Sequence, residues 1–169
     1  MKTPHRLNLA RLPTPIHALK HTSRELNKDV YVWRDDLTGF IDSGNKIRKL
    51  EFLVGEALAQ GCDHLITCGG PQSNHARATA AIARSLGLGV SLLLFPKAGF
   101  DPDAPPSGNL LIDQIFGAEI TWVPLEEFQA AGSSYDPFLA REMESLKRKG
   151  KKPYIIPLGG SSAIGCFGY

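Results

Sequence analysis

The alternation of short apolar stretches with helix-length amphipathic ones, running from residue 46 to residue 157, restricts this chain more than any other feature. His64–Cys68 (H-L-I-T-C), Val90–Phe95 (V-S-L-L-L-F), Glu119–Val123 and Tyr154–Pro157 read as strands. Residues 46–60, 73–86, 109–116 and 137–149 read as helices, each followed by a glycine (Gly61, Gly87, Gly117, Gly150) where helices favour one. Apolar strands joined by helices specify a parallel sheet covered on both faces, an α/β fold. Such sheets take ligands at the carboxyl ends of their strands. The preceding segment differs. Residues 1–29 read as an irregular approach with a short helix over His21–Leu26, and Val30–Arg34 as a strand rich in β-branched and aromatic residues. Residues 96–106, with four prolines, a glycine and two aspartates, read as a surface loop.

Composition removes several function classes. At 169 residues the chain can enclose one real core, and 43% hydrophobic and 21% charged residues are ordinary globular values. A formal net charge of +2 argues against a nucleic-acid surface. The basic run Lys147-Arg148-Lys149 falls at a helix end, where cations suit the dipole. Cys62, Cys68 and Cys166 cannot all pair and form no C-x-x-C, so neither a disulfide framework nor a metal site is expected, and a reducing cytoplasmic setting fits. No apolar run reaches membrane-spanning length, and the N-terminus lacks the apolar core of a signal peptide.

Chemistry concentrates in three loops. Asp42–Leu53 (D-S-G-N-K-I-R-K-L-E-F-L) passes from a turn straight into a helix whose apolar face is Ile47, Leu50, Leu53, Val54, Ala57 and Leu58. Ser43 or Asn45 is placed to cap it. Lys46, Arg48 and Lys49 crowd the helix start, the end where cations are disfavoured. That pattern suits a bound anion or a lysine tuned towards its neutral form, and equally a solvated basic turn. Thr67–His75 (T-C-G-G-P-Q-S-N-H) lies at the carboxyl end of a strand, with glycines for close backbone approach and Gln72, Ser73 and Asn74 as donors at a helix start. Gly159-Gly160-Ser161-Ser162 repeats that chemistry after the last strand. A tight turn with a serine cap explains either of these two loops taken singly. No G-x-x-x-x-G-K-[ST] or G-x-S-x-G is present, and no complete G-x-G-x-x-G follows a strand.

Taken in order, S-G-N-K-I-R-K-L-E-F-L (43–53) followed by G-G-P-Q-S-N-H (69–75) resembles the pyridoxal-phosphate enzymes of the D-cysteine desulfhydrase and 1-aminocyclopropane-1-carboxylate deaminase family. Pro13-Thr14-Pro15, Arg34-Asp35-Asp36 and P-Y-I-I-P-L-G-G-S-S near the end match the same order, from about residue 11 to residue 169. The resemblance implies three-layer parallel-sheet units of the tryptophan synthase β-like, fold type II class. It implies a division into residues 1–45 (part of a large domain), 46–158 (a small α/β domain) and 159–169 (the return to the large domain). The chain is about half the family's length, so it is expected to be truncated.

The same resemblance implies roles for residues. Lys46 aligns with the lysine that forms the Schiff base with pyridoxal 5'-phosphate, and charge from Arg48 and Lys49 would depress its pKa. Lys49 would face the phosphate, and Asn74 would bond the ring oxygen. Ser73 would lie beside the substrate and handle protons. Ser73, Asn74 and His75 would hold the substrate carboxylate. His75, where the deaminase branch typically has glutamine, and Gly159-Gly160-Ser161-Ser162 look like the desulfhydrase branch. The implied reaction is α,β-elimination on a small amino acid, D-cysteine giving pyruvate, sulfide and ammonia, in an enzyme that is a homodimer at full length. The alternatives are 1-aminocyclopropane-1-carboxylate deamination, an inactive truncated module that binds an anion or a partner, and a nucleotide binder using Gly69-Gly70.

Overall fold

The computed structural model describes residues 4–42 and 44–169. Its elements run β1 (Ile16–Ala18), α1 (Lys20–Leu26), β2 (Tyr31–Trp33), α2 (Asn45–Ala59), β3 (His64–Gly69), α3 (Asn74–Ser85), β4 (Gly89–Leu94), α4 (Gly108–Ile115), β5 (Glu119–Trp122), α5 (Leu125–Ala130), α6 (Asp136–Arg148) and β6 (Pro153–Ile155). Single 3-10 turns cover Asp35–Leu37, Leu158–Gly160 and Gly165–Gly168.

The main sheet is parallel throughout, in the order β5-β4-β3-β6, with Leu65 beside Val90, Cys68 beside Leu93 and Leu65 beside Tyr154. Side chains alternate across it with the period of two that a strand imposes. Leu65, Val90, Leu92 and Leu94 meet Ile47, Leu50, Leu53 and Val54 of α2 and the alanine-rich face of α3. Ile66, Cys68, Leu93 and Phe95 meet Phe138, Leu139 and Leu146 of α6, with Phe128 of α5 packed against them. Three layers result, as both-face apolarity requires. Each large side chain enclosed contributes about 1.5–3 kcal/mol. Successive strands step from β3 outward to β5, and β6 then returns to the other edge of β3. That reversal opens a crevice at the carboxyl ends of β3 and β6.

The first segment belongs to another sheet. β1 and β2 pair antiparallel, with Ile16 opposite Trp33. Their faces are bare: Ile16, Tyr31 and Trp33 are 60%, 62% and 58% exposed, and Phe40 beyond them 83%. Residues leading into this hairpin are fixed on α2 by the buried Glu51. It pairs with Arg6 at 2.8 Å and accepts the N–H groups of Leu9 and Ala10 at 2.9 and 2.8 Å. The chain passes so close that a Cβ on Gly55 would lie 2.5 Å from the His5 carbonyl oxygen.

Two elements depart from expectation. β1 lies inside the supposed irregular approach, because a three-residue strand exists only through its partner β2. α5 fills the stretch between β5 and α6, where the sequence pattern implies no element, with Glu126 and Glu127 in its first turn, where acidic side chains suit the helix dipole. The other strand and helix limits differ by one or two residues. The last strand ends at Ile155, although the Ile156 N–H continues the ladder to the Ile66 carbonyl at 2.8 Å.

Candidate active site

Lys46 occupies the first turn of α2. Asn45 does not cap that helix. Asn45 is its first helical residue, Ser43 lies outside the described residues, and the cap position is Gly44, with no side-chain bond. Gly44 has φ of 105°, a conformation open to glycine and costly for other residues. Thr38, fully buried, holds the turn from behind. Its hydroxyl accepts the Gly44 N–H at 3.0 Å and donates to the Asp35 carbonyl at 2.8 Å.

The three cations at this helix start separate. Positions 46 and 49 lie on neighbouring faces, whereas 46 and 48 are about 200° apart around the helix. Lys46 is half-buried, and a Cβ on Gly159 would lie 3.6 Å from its Nζ, so the loop after β6 runs beside the amine. Partial burial, then the charge of Lys49, holds its pKa below the ordinary lysine value. Lys49 Nζ donates to Ser161 Oγ at 3.2 Å on that same loop.

Arg48 does not join them, which corrects the expectation that its charge tunes Lys46. It is buried on the far side, where Nε bonds Asp35 Oδ1 at 2.9 Å and Nη2 reaches Thr14 Oγ1. The guanidinium lies 5.2 Å from the Trp33 ring centroid and 5.6 Å from that of Tyr169. The Tyr169 hydroxyl donates to Asp35 Oδ2 at 2.7 Å and lies 3.1 Å from the Asn45 carbonyl. The Pro13-Thr14-Pro15 and Arg34-Asp35-Asp36 motifs therefore meet at one side chain. They supply Asp35, which neutralises Arg48, and Thr14, which helps to seat it behind the lysine turn.

The second loop enters α3. Ser73 is its cap: Oγ accepts the Ala76 N–H at 3.2 Å and the carbonyl the Arg77 N–H at 3.1 Å. The N–H groups of Asn74 and His75 have no acceptor within the helix, as at any helix start. Gly69 makes room for this, since a Cβ there would lie 2.6 Å from Ser73 Oγ. Gln72, expected as a donor to a ligand, is engaged elsewhere. Its Nε2 donates to the Ser107 carbonyl at 3.0 Å and its Oε1 accepts the Asn109 N–H at 2.9 Å, so it ties down the start of α4. Asn74 is exposed, with Oδ1 accepting from Asn109 Nδ2 at 2.9 Å.

His75 is only 3% exposed. The Thr67 hydroxyl donates to the Ile156 carbonyl at 2.9 Å and so must accept from His75 Nε2, also at 2.9 Å. The ring is therefore the Nε2–H tautomer, and its buried Nδ1 has no hydrogen-bond partner. Burial, then the charges of Lys46 and Lys49, lowers its pKa to about 4. What His75 can offer a ligand is its backbone N–H, with its ring bracing the loop. Thr67 and Asn109 were not foreseen. Thr67 stood in the loop motif but carried no signal, and Asn109 lies at the start of a different helix.

Beside Ser73 opens a cleft of about 650 Å³, lined by Gly69–Ser73, Phe95, Lys97, Phe100 and Leu158 among others. Its floor is the carboxyl end of β3, and its walls follow β4 and β6. Among the described residues no group of His, Cys, Asp and Glu could hold a metal ion, and no helix is long and apolar enough to cross a membrane.

These features define a class: a three-layer α/β unit that presents a half-buried lysine of lowered pKa and two donor-rich loops at one end of a parallel sheet. The chain belongs to the pyridoxal-phosphate dependent enzyme family, whose sequence pattern matches residues 7–169. It is 46% identical over 164 residues to a putative 1-aminocyclopropane-1-carboxylate deaminase of Thermotoga maritima, covering 97% of this chain and 50% of that protein. It is 43% identical over 166 residues to the mitochondrial bifunctional D-cysteine desulfhydrase/1-aminocyclopropane-1-carboxylate deaminase of Arabidopsis thaliana, covering 98% of this chain and 41% of that one. The crystal structure of an ACC deaminase homologue superposes with a TM-score of 0.84 at 43% identity, over 99% of this chain and 48% of its own. The fold type II α/β class is thus shown. The chain spans about half the length of the relatives it matches.

Proposed function

We propose that this chain carries the lysine-bearing half of a pyridoxal-phosphate dependent α,β-eliminating enzyme acting on a small amino acid, with D-cysteine as the substrate. The observation that carries the reading is Lys46. Its amine is partly buried, its pKa is lowered, and it lies against the Gly159–Ser161 loop. The residues present fit the cofactor. Lys46 offers an amine able to react with a carbonyl, Lys49 and Ser161 offer polar groups for the phosphate, and Asn74 offers N–H donors for the ring oxygen. When bound, the cofactor supplies the reactive carbonyl and the electron sink.

The chain's own groups do the rest. Lys46 Nζ accepts and returns protons, and partial burial and the charge of Lys49 ease the loss of its proton relative to an ordinary lysine. The unbonded N–H groups at the start of α3 hold the substrate carboxylate. Ser73, beside the cleft, handles protons near the substrate. The cleft beside Ser73 offers the substrate an apolar wall in Phe95 and Phe100. Residues 1–45 and 159–169 form parts of a large domain and 46–158 the small one. This is consistent with the separate β1–β2 sheet and the four-stranded sheet of the second unit. The free Cys62, Cys68 and Cys166 suit the cytoplasm. The full-length protein acts as a homodimer.

Deamination of 1-aminocyclopropane-1-carboxylate is the second reading, since relatives carry both names. His75 supports the desulfhydrase. The test mixes the chain with pyridoxal phosphate, reduces with borohydride and maps the label by mass spectrometry, alongside Lys46→Ala. A pyridoxyl label on Lys46, absent from the variant, is expected, and sulfide release from D-cysteine then separates the two substrates. A chain that takes no label, or takes it equally without Lys46, overturns the reading and leaves an inactive binding module.

A further inference from the structure

Asn74 is the exposed end of a hydrogen-bond chain whose direction is fixed at its other end by the backbone. Asn109 Nδ2 donates to the Gln72 carbonyl at 2.9 Å and to Asn74 Oδ1 at 2.9 Å. A carbonyl accepts and never donates, so the amino group of Asn109, not its oxygen, must face Gln72. The same amino group faces Asn74, which must therefore turn its oxygen towards Asn109 and its own amino group away. Every choice follows from one backbone oxygen.

Asn109 is itself held in place. Its N–H donates to Gln72 Oε1 at 2.9 Å, and Gln72 Nε2 donates to the Ser107 carbonyl at 3.0 Å. Gly108 makes this clasp possible, because a Cβ there would lie 2.4 Å from Gln72 Oε1. Asn109 is half-buried, and it stands at the start of α4. It reaches the groups assigned to cofactor or substrate only through Asn74.

We propose that Asn109 is a positioning residue that fixes the Asn74 amide as a hydrogen-bond donor towards the site, so that the ligand atom Asn74 meets is an acceptor, held in its anionic form. This rests on the cofactor reading above, in which that atom is the ring oxygen of pyridoxal phosphate. A donor facing an oxygen anion lowers the pKa of that oxygen. A freely flipping Asn74 presents its own oxygen part of the time and loses the effect.

The test follows the visible spectrum of the chain loaded with pyridoxal phosphate as a function of pH, in wild type, Asn109→Ala, Asn74→Ala and the double variant. Asn109→Ala is expected to move the midpoint upward by several tenths of a pH unit, and the same substitution on the Asn74→Ala background by nothing further. Asn109→Asp keeps the shape but cannot donate to the Gln72 carbonyl. It serves if the alanine variant does not fold, and it is expected to move the midpoint further in the same direction. If its shift is as large with Asn74→Ala, charge alone is responsible and the proposal fails. An unmoved midpoint in a chain whose Lys46 is labelled by borohydride overturns the role of Asn109 alone. A wild-type chain without label overturns the cofactor reading, and this inference with it.

Discussion

His64 and His75 make the same hydrogen bond in opposite company. They are 2% and 3% exposed, and each sets Nε2 at 2.9 Å from a hydroxyl, Ser91 in one case and Thr67 in the other. Both hydroxyls are anchored on strands of the main sheet. His64 opens β3 at the amino end of the sheet, and the Ser91 hydroxyl there donates to Glu142 Oε1 at 2.9 Å. Burial lowers the His64 pKa while Glu119, Asp63 and Glu142 oppose it. His75 sits at the carboxyl end, and the lysines there reinforce the effect of burial. One histidine completes a satisfied chain that holds α6 to the sheet. The other is kept neutral by burial, reinforced by the charges of Lys46 and Lys49. Burial alone does not tell the two apart; the sign of the charges nearest each ring does.

The largest expected effect that sharpens this contrast is on acid stability. His75 in the folded chain stays neutral down to about pH 4, whereas unfolded histidine titrates near 6.5. The unfolded chain thus binds the extra proton between those values. The contribution of His75 is full above about pH 6.5 and is lost as pH falls towards 4, by up to about 3 kcal/mol. His75→Gln, which keeps a donor for Thr67, should flatten the wild-type loss when urea melts at pH 7 and pH 4.5 are compared. An equal loss in both proteins would mean His75 does not titrate as its surroundings dictate.

Next in size is His64→Ala. It leaves a cavity beside Ser91 and should cost about 2 kcal/mol, because large-to-small changes in a packed interior remove contacts and leave space. Borohydride labelling of Lys46 should be unaffected, and its loss would erase the distinction between a structural and a functional end. The smallest effect is electrostatic. Lys46→Met should raise the His75 pKa by less than about one unit and leave His64 unmoved, followed by NMR of the imidazole carbons. Movement of both rings together would point to a general loosening of the sheet.

Much of this arrangement was legible in the order of residues. Apolar strands between amphipathic helices implied the parallel sheet, and its carboxyl end implied where ligands go. What escaped depends on contacts made across the chain. The three residues of β1 are a strand only because β2 lies beside them. Charge read along the sequence grouped Arg48 with Lys46 and Lys49, although the helical period already sends position 48 to the far side. Gln72 looked like a free donor because its partners, Ser107 and Asn109, lie 35 and 37 residues away. His75 could have been exposed or enclosed at a helix start. Only Thr67 and the closing of β6 over it decided the matter.

The seat of Arg48 has a mechanical consequence. Its side chain is gripped by Thr14, Trp33, Asp35 and Tyr169, all outside the four-stranded unit, while the helix that bears it runs on into that unit's core. A rotation of the sheet against the outer segments would have to work against this seat and against the Glu51 and Gly55 contacts further along α2. The start of that helix, with Lys46 on it, is therefore the part such a motion would displace least.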